Sequence, residues 1–235
     1  LIAWKKNRGL APALRYLIDH SHGEWILLLD SDTELKKDTL TTLLNFGRSH
    51  ERIGAVAPRM RDMDGNLQLT ARRFPSPFNS LFGRQTFLSR LWPNNPITQK
   101  YLKTTDQDRM QPFPCDWVAF AAALIRRTAL EEAGSIDPEF FVYWVDADFF
   151  YRLKKKNWEV WCYPQIEVLH YEQNRVNRVR HPRAIRDFHE GAYRYYSKNH
   201  GWHGMNPFLP FARIGLWSRT QIQLLINRWR MNHGG

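Results

Sequence analysis

The chain has 235 residues, enough to bury a sizeable core in one or two domains, and its 43% hydrophobic and 14% aromatic content excludes a disordered protein. Its formal net charge is +11, and residues 171–235 hold eleven basic side chains against three acidic ones, a balance of +8 that favours anionic partners. Cys115 and Cys162 lie far apart and no apolar run approaches the length of a membrane span, so neither a disulfide framework, a cysteine zinc site nor a spanning helix is predicted.

Strands alternate with helices in the first part of the chain. An Asp-Gly turn at 64–65, followed by an alternating segment, predicts a hairpin within 62–74. The other predicted elements are the end of a strand at 1–4, a helix at 10–20, a buried strand at 25–29, a helix from Asp38 or Thr39 to about Gly47, and a strand at 53–58. This alternation predicts an α/β fold with a mostly parallel sheet flanked by helices.

A long excursion divides this region from a second set of elements. Residues 75–115 are rich in Pro, Asn and polar side chains, which is typical of a long functional or mobile loop. The elements predicted after it are a buried strand at 116–127, a helix from a Thr128–Glu131 capping box to Gly134, a helix opened by Asp146 and Asp148 and closed by Lys154–Lys156, two short strands at 158–164 and 166–171, and helices at 182–199 and 211–230.

Two carboxylates follow the buried strand at 25–29. Asp30 and Asp32 stand one residue apart, so on an extended segment their side chains point to the same side and could share one cation or one polar ligand. The carboxyl edge of the sheet in an α/β protein is also where ligands bind. The alternative is a solvated turn in which Asp32 or Thr33 caps the next helix.

Two further polar residues have ordinary structural interpretations. Asp146 opens a helix, where an N-cap role is typical. His170 ends a predicted strand, and a lone histidine in that place is most often a hydrogen-bonded structural residue. The residue pattern alone leaves both interpretations open.

Several motifs, taken together, resemble the family-2 glycosyltransferases of bacterial surface-polysaccharide synthesis, above all their rhamnosyltransferase-like branch. They are NRGLAPAL (7–14), LLLDSDTEL (27–35), APRMRDMDGNLQ (57–68), RRF (72–74), WV (117–118), LIRRTALEEAGSIDPEFFVYWVDADFFYRLKKKNW (124–158) and VLH (168–170). The resemblance runs from residue 1 to about residue 200 and implies the GT-A fold, a Rossmann-like sheet flanked by helices with further helices at the C-terminus.

The resemblance implies an inverting transfer of a sugar from a nucleotide-sugar donor to a glycan or lipid-linked acceptor. It assigns Asp32 to a divalent metal, Mg²⁺ or Mn²⁺, and Asp30 to the metal or the ribose, and His170 resembles a late histidine that completes this metal site in some members. Asp146 aligns with the general base, which takes the proton from the acceptor hydroxyl.

Five other residues match donor-binding or acceptor-binding positions of the family. Arg59 and Asp62 lie in the segment that lines the donor side, and Trp117 resembles the aromatic residue beside the sugar and the acceptor. The alternatives are a surface ion pair for Arg59 and ordinary core packing for Trp117. Asn7 and Asp148 complete this predicted set.

The sequence departs from the family pattern in three places. We expect the family's opening strand, helix and second strand to be missing ahead of Leu1. Phe120 stands where the family has glycine, which would narrow the acceptor pocket, and Val145 stands where an acid usually precedes the base. The alternative function is therefore a non-catalytic or degenerate GT-A remnant that acts as a binding module.

The resemblance also implies a division into domains and a set of partners. Residues 1–180 are predicted to form an N-terminally incomplete catalytic domain, and residues 181–235 a basic helical extension. The segment from 207 mixes large apolar residues with arginines, which suits either peripheral contact with an anionic membrane or packing on the domain. We predict a cytoplasmic location, either free or peripherally bound to the inner face of the cell membrane. No nucleic-acid partner is predicted, because zinc-finger and RNA-recognition motifs are missing.

Overall fold

The computed structural model describes residues 2–68, 70–74, 110–171, 181–200 and 209–233. Its helices are α1 Leu10–Asp19, α2 Thr39–Ser49, α3 Arg127–Ala133, α4 Val145–Lys155, α5 Pro182–Asn199 and α6 Leu209–His233. Its strands are β1 Trp25–Leu29, β2 Thr33–Glu34, β3 Ile53–Arg61, β4 Leu67–Gln68, β5 Ala71–Arg72, β6 Phe113–Cys115, β7 Trp117–Val118, β8 Ala122–Arg126 and β9 Glu159–His170.

One mixed sheet holds most of the described strands. Its order is β1-β8-β3-β9-β2, with β4 added beside β3 and β6 beside β9, while β5 and β7 form a separate antiparallel pair. β3 and β9 are parallel, and β8 is antiparallel to both β1 and β3. β1, β3 and β9 therefore run in one direction, as the alternation of strands and helices predicted.

The α/β class is confirmed, but the sheet is mixed where a mostly parallel one was predicted. β1 and β3 are joined through α2 and are parallel in direction, yet β8 lies between them and runs the opposite way. The short strands β2 and β6 pair with β9, and β4 pairs with β3, all in the antiparallel sense. The sequence pattern misses this because periodicity reports that a strand exists, not which strand lies beside it.

β9 is one strand where two short ones were predicted. Its pairing with β3 jumps from Pro58–Tyr163 to Arg59–Glu167, which leaves residues 164–166 of β9 as an irregularity. Pro164 lies there, and proline cannot donate a ladder hydrogen bond, so it is tolerated at such a bulge. The predicted break is a bulge within a continuous strand.

Other predicted elements differ locally from the structure. Residues 2–4 are not in a strand, and the strand predicted at 116–127 is divided into β7 and β8. The capping box is wrong, because α3 begins at Arg127, directly after β8, and its N-cap residue Arg126 makes no side-chain cap bond. Gly134 does end α3, with φ 76°. Of the long excursion, residues 75–109 lie outside the described residues and 113–115 form β6.

The core of the sheet packs against α2 and the flanking strands. Leu43 of α2 lies with Ile53, Val56 and Leu124 in one buried cluster. A second buried cluster joins the far end of β3 and β9 to the start of β8, and its members are Met60, Ala121, Ala122 and Val168. These apolar contacts fix the strand ends near which the polar residues lie.

The chain divides into two compact units, each described here by itself. The sheet unit comprises residues 22–134 and 150–173 and holds every described strand, whereas the helical unit comprises residues 1–21, 135–149 and 174–235. The division into a catalytic domain and an extension from residue 181 stays a prediction. Within the described residues, no helix combines the length and the apolar character that a membrane crossing requires.

Helix α5 organises the helical unit by holding the segment ahead of α4. The buried Asp187 carboxylate accepts hydrogen bonds from the backbone N–H groups of Val142 and Tyr143 at 3.1 and 3.2 Å. Burial raises the pKa of this carboxyl group, and the two donors act in the opposite direction. One turn later, Gly191 packs so closely that an added Cβ would lie 2.8 Å from the Tyr143 carbonyl oxygen.

We expect Gly191→Ala to destabilise the protein although alanine is the better helix former. The new Cβ would meet backbone at Tyr143 and the Trp144 ring at 3.1 Å, so α5 must move away. The expected loss is about 1–3 kcal/mol. The matched control is Gly215→Ala in α6, where nothing lies within 4 Å of an added Cβ. Its expected gain is about 0.5–1 kcal/mol.

Thermal unfolding followed by circular dichroism measures both variants. Gly191→Ala should lower the midpoint and Gly215→Ala should hold or raise it. An equal rise for both variants would contradict the close packing of α5 on residues 143–144.

Candidate metal centre

The two carboxylates predicted to bind metal lie in a tight turn between β1 and β2. The Asp30 N–H donates to the Ala121 carbonyl at 3.0 Å, and the Thr33 N–H donates to the Asp30 carbonyl at 3.1 Å. The Thr33 hydroxyl donates to the same Ala121 carbonyl at 3.1 Å. Neither Asp32 nor Thr33 caps α2, because that helix begins at Thr39 with Asp38 before it. The capping alternative is therefore wrong.

Pairing of β2 with the end of β9 brings the turn to His170. Thr33 lies opposite His170 in the antiparallel ladder, and the Tyr171 N–H donates to the Asp32 carbonyl at 2.8 Å. Directly opposite residues of a ladder share one face of the sheet. The last residues of β9 thus carry the imidazole to the turn that holds both acids.

Asp30, Asp32 and His170 form a compact triad in the sheet unit. The His170 Nε2 atom lies 3.3 Å from Asp32 Oδ1 and 3.9 Å from Asp30 Oδ2. One ligand atom from each residue lies within 4.8 Å of the others. The His170 side chain is 9% exposed, whereas those of Asp30 and Asp32 are 42% and 52% exposed. The triad therefore has a buried nitrogen and two carboxylates that solvent and ligands can reach.

Gln68 of β4 orients the imidazole of this triad. Its Nε2 atom donates to the His170 carbonyl at 3.3 Å, so its Oε1 atom is the one that lies 2.7 Å from His170 Nδ1. An amide oxygen only accepts, so Nδ1 carries a proton, and in the neutral imidazole Nε2 then keeps its lone pair. Nε2 therefore faces the carboxylates as a ligand atom.

This arrangement suits a bound divalent cation. With a neutral imidazole, Nε2 and the Asp32 carboxylate oxygen 3.3 Å away are both acceptors, and a cation between them would remove their repulsion. Imidazole and carboxylate ligands are typical of divalent sites, and a ligating histidine usually donates its other ring N–H to an oxygen acceptor, which Gln68 supplies here. Among the described residues, this triad is the group of three acidic, histidine or cysteine side chains close enough to hold a metal.

Arg59 lies on β3, and its side chain is only 9% exposed. Its guanidinium lies 3.7 Å from Glu167, which Arg61 also binds at 2.8 Å. The hydrogen bond from Arg61 holds the pKa of the Glu167 carboxyl below its usual range. An ion pair was the structural alternative for Arg59, but it is largely buried and not on the surface.

Asp62 closes the β3–β4 hairpin. Its carboxylate accepts from the backbone N–H groups of Asp64 and Asn66 at 3.0 and 2.8 Å, and Gly65 has φ 77°. This local turn holds β4, and hence Gln68, beside β3. Its described contacts are therefore structural, and contact with the donor stays a prediction.

Trp117 and Phe120 are both buried in the sheet unit. The Trp117 indole donates to the Arg73 carbonyl at 2.9 Å and lies 5.0 Å from the Arg72 guanidinium. Phe120 lies 5.6 Å from the Phe150 ring. These contacts agree with the core-packing alternative for Trp117, and its place beside the sugar stays a prediction.

The remaining predicted residues belong to the helical unit. The Asn7 side chain accepts from the Gly9 N–H at 2.9 Å, just before α1. Asp146 lies in the first turn of α4 with its carboxylate 2.8 Å from the Ala147 N–H. Asp148 is fully buried and is bound by Lys198 at 3.0 Å and Asn199 at 2.9 Å. The structure thus brings together the predicted metal ligands but places these three residues in the other unit.

Sequence reasoning missed Gln68 as a functional residue. Gln68 ends the motif APRMRDMDGNLQ and lies in the predicted hairpin, but its partner His170 is 102 residues away. Alternation along each strand is visible in the sequence, but the pairing of Met60 with Gln68 on one side and with Val168 on the other is not. These residues and His170 therefore share one face of the sheet.

Comparison with known proteins identifies relatives of this chain in sequence and in fold. The chain is 30% identical over 184 residues to N-acetylglucosaminyl-diphospho-decaprenol L-rhamnosyltransferase of Mycobacterium tuberculosis (strain ATCC 25618 / H37Rv), covering 76% of this chain and 57% of that protein. It is 23% identical over 162 residues to low-salt glycan biosynthesis hexosyltransferase Agl10 of Haloferax volcanii, covering 69% and 47%. The chain thus spans about half the length of the curated relatives it matches.

A solved structure and a family model support the predicted fold and family. A crystal structure of GalNAc-T7 with UDP, GalNAc and Mn²⁺ superposes with a TM-score of 0.54 at 14% identity, over 83% of this chain and 36% of that one, which confirms the predicted GT-A fold. The sequence model of Glycosyl transferase family 2 matches residues 1–134. With a rhamnosyltransferase at 30% identity besides, this chain belongs to glycosyl transferase family 2, the family that its motifs predicted.

Proposed function

We propose that this chain carries the donor site of a glycosyltransferase that moves a sugar from a nucleotide-sugar to a hydroxyl of a glycan or lipid-linked acceptor. The observation that carries the proposal is the triad of Asp30, Asp32 and His170, with Nε2 aimed at the carboxylates by Gln68. Support also comes from relatives whose names specify rhamnosyl and hexosyl transfer, one of them to a decaprenol-linked glycan.

Asp30, Asp32 and His170 would hold Mg²⁺ or Mn²⁺. The bound cation would offset the negative charge that develops on the diphosphate leaving group. The exposed carboxylates leave room for phosphate oxygens, while the buried imidazole keeps its orientation through Gln68. The GalNAc-T7 structure, which shares the fold, contains UDP and Mn²⁺.

The transfer we propose inverts the anomeric carbon in one step. The acceptor oxygen forms a bond to that carbon on the face opposite the diphosphate, the carbon–oxygen bond to the phosphate breaks, and its electron pair leaves with the nucleoside diphosphate. The Asp146 carboxylate takes the hydroxyl proton. The support for this role is the resemblance of its segment to the family motif, together with the place of Asp146 in the first turn of α4, where it is only partly buried.

The other predicted residues have supporting roles in this proposal. Asn7, Arg59, Asp62 and Trp117 are proposed to shape the donor and acceptor sites. Asp148 instead positions Asp146. Its buried carboxylate is bound by Lys198 and Asn199 of α5, and these bonds hold α4 two residues beyond Asp146.

We expect Asp32→Asn to weaken Mn²⁺ binding by roughly tenfold or more, because the site loses one of two anionic ligands. The measurement is calorimetric titration of Mn²⁺, followed by UDP, dTDP and GDP with and without the metal. One nucleotide should bind in a metal-dependent way to the unmodified chain and much more weakly to the variant.

The control for this titration is Asp38→Asn. Asp38 is exposed, lies outside the triad and has φ 64°, a conformation that asparagine also tolerates. The Asp38→Asn variant should bind Mn²⁺ and nucleotide as tightly as the unmodified chain does. A folded, unmodified chain that binds none of the three nucleotides in Mn²⁺ would contradict the donor site.

We expect Gln68→Met to weaken Mn²⁺ binding by roughly tenfold, because the acceptor that fixes the His170 ring is lost while side-chain volume is kept. Gln68→Glu keeps an acceptor at the same place and should retain most of the affinity. Gln221→Met, an exposed substitution in α6, is the matched control. Nitrogen-15 NMR of the histidine side chains gives a second readout, since only Gln68→Met should lose the Nδ1–H tautomer of His170. An unchanged tautomer would contradict the role of Gln68.

We expect Asp146→Asn to lower kcat by roughly 10²–10⁴-fold and to leave metal-dependent nucleotide binding unchanged, because it removes a base and not a donor ligand. The assay measures acceptor-dependent release of nucleoside diphosphate, again with Asp38→Asn as the control. A parallel loss of nucleotide affinity would indicate that Asp146 contacts the donor and is not the base.

A further inference from the structure

Helix α6 exposes large apolar side chains along much of its length. Phe211 is 73% exposed, Trp217 64% and Leu225 67%. The other exposed apolar residues of this helix are Ile214, Ile222, Ile226, Trp229 and Met231. Several large apolar side chains exposed on one helix mark an interaction site more often than scattered single residues do. We call the side formed by residues 211, 214, 217, 222, 225, 226 and 229 the outer face.

The residues of the outer face lie on one half of the helix circumference. At 100° per residue, the seven positions fall within about 180°, most of them three residues from the next. The opposite side contains Thr220 and Asn227, which are buried although they are polar. Burial also lowers the pKa of the Arg219 guanidinium. Two polar residues of α6 are therefore turned inward, whereas its largest apolar side chains are exposed.

The charges of α6 favour an anionic partner. Residues 209–233 contain Arg213, Arg219, Arg228 and Arg230 and no acidic residue. Arg213 lies over the Tyr193 ring of α5 at 5.6 Å, within the helical unit. A second copy of this helix would bring four more arginines to the same contact, which like-charge repulsion disfavours. An apolar face bordered by arginines is instead the pattern of a helix lying in a membrane interface.

We propose that the outer face of α6 binds the surface of an anionic lipid bilayer. The helix lies parallel to the membrane, its Phe, Leu and Ile side chains enter the boundary between headgroups and acyl chains, and Trp217 and Trp229 lie at the headgroups. Arg228 and Arg230 contact lipid phosphates. The contact rests on α6 alone, and only its use, access to a lipid-linked acceptor, rests on the proposed function.

The test is co-sedimentation of the chain with vesicles of phosphatidylcholine alone and of phosphatidylcholine and phosphatidylglycerol in equal parts. EDTA is present throughout, so the result does not depend on the metal site or the donor. We expect binding to the anionic vesicles that weakens as NaCl is raised, and little binding to the neutral ones.

Two pairs of variants separate the apolar and the charged contributions. Ile222→Ser with Leu225→Ser should lower the partition coefficient roughly tenfold or more. Its control is Ile2→Ser with Leu17→Ser, the same residue types at exposed positions of the helical unit. Arg228→Gln with Arg230→Gln should lower the partition coefficient by about fivefold for each arginine removed. Its control is Lys5→Gln with Lys6→Gln, which removes the same charge elsewhere.

Each result decides the proposal. Loss of binding in both α6 variants, with both controls within about twofold of the unmodified chain, supports it. Equal binding to neutral and anionic vesicles, or equal effects of the lysine and arginine pairs, overturns it. Absent binding, together with a dimer in analytical ultracentrifugation that Ile222→Ser with Leu225→Ser dissociates, overturns it in favour of a second copy. Circular dichroism and Mn²⁺ titration establish that each variant is folded.

Discussion

The parallel pairing of β3 with β9 is the constraint on which the candidate metal centre depends. Met60 of β3 lies between Gln68 on one side and Val168 on the other, and His170 follows Val168 on the same face. The irregularity at residues 164–166 sets this register, because the ladder resumes at Glu167. If residues 164–166 were instead paired regularly with β3, the alternation would carry the imidazole to the opposite face, away from Gln68.

The same pairing explains why one part of the centre is rigid and another is open. Met60, Val168, Ala121 and Ala122 form a buried apolar cluster, and the Ala121 carbonyl also accepts from Asp30 and Thr33. A close-packed cluster holds its neighbours within a narrow range of positions. The imidazole is fixed on this base, while the two carboxylates project from a turn into solvent. A ligand can therefore reach a preorganised nitrogen and two exposed carboxylates.

Local pattern was sufficient for the parts of the site that are contiguous in sequence. An apolar run ending in Asp30 and Asp32 predicted both the strand and its acidic turn, and the resemblance added His170. Gln68 could not be found in this way, because its role depends on a pairing across 102 residues. The Thr128–Glu131 capping box failed for a related reason, since β8 runs directly into α3 and leaves no turn for a cap. The position of β8 between β1 and β3 is likewise a property of packing and not of periodicity.

Within the helical unit, α5 links the two surfaces to which we assign functions. Asp187 and Gly191 hold residues 142–144, which lead into Asp146, and Lys198 reaches the buried Asp148. On another side of α5, Tyr193 meets Arg213 of α6. Because packed helices move as rigid elements, a bilayer bound at α6 would hold α5, and through it the first turn of α4, at a fixed height. Asp146, which we propose as the general base, would then remain close to a lipid-linked acceptor whose own anchor keeps it at the same surface.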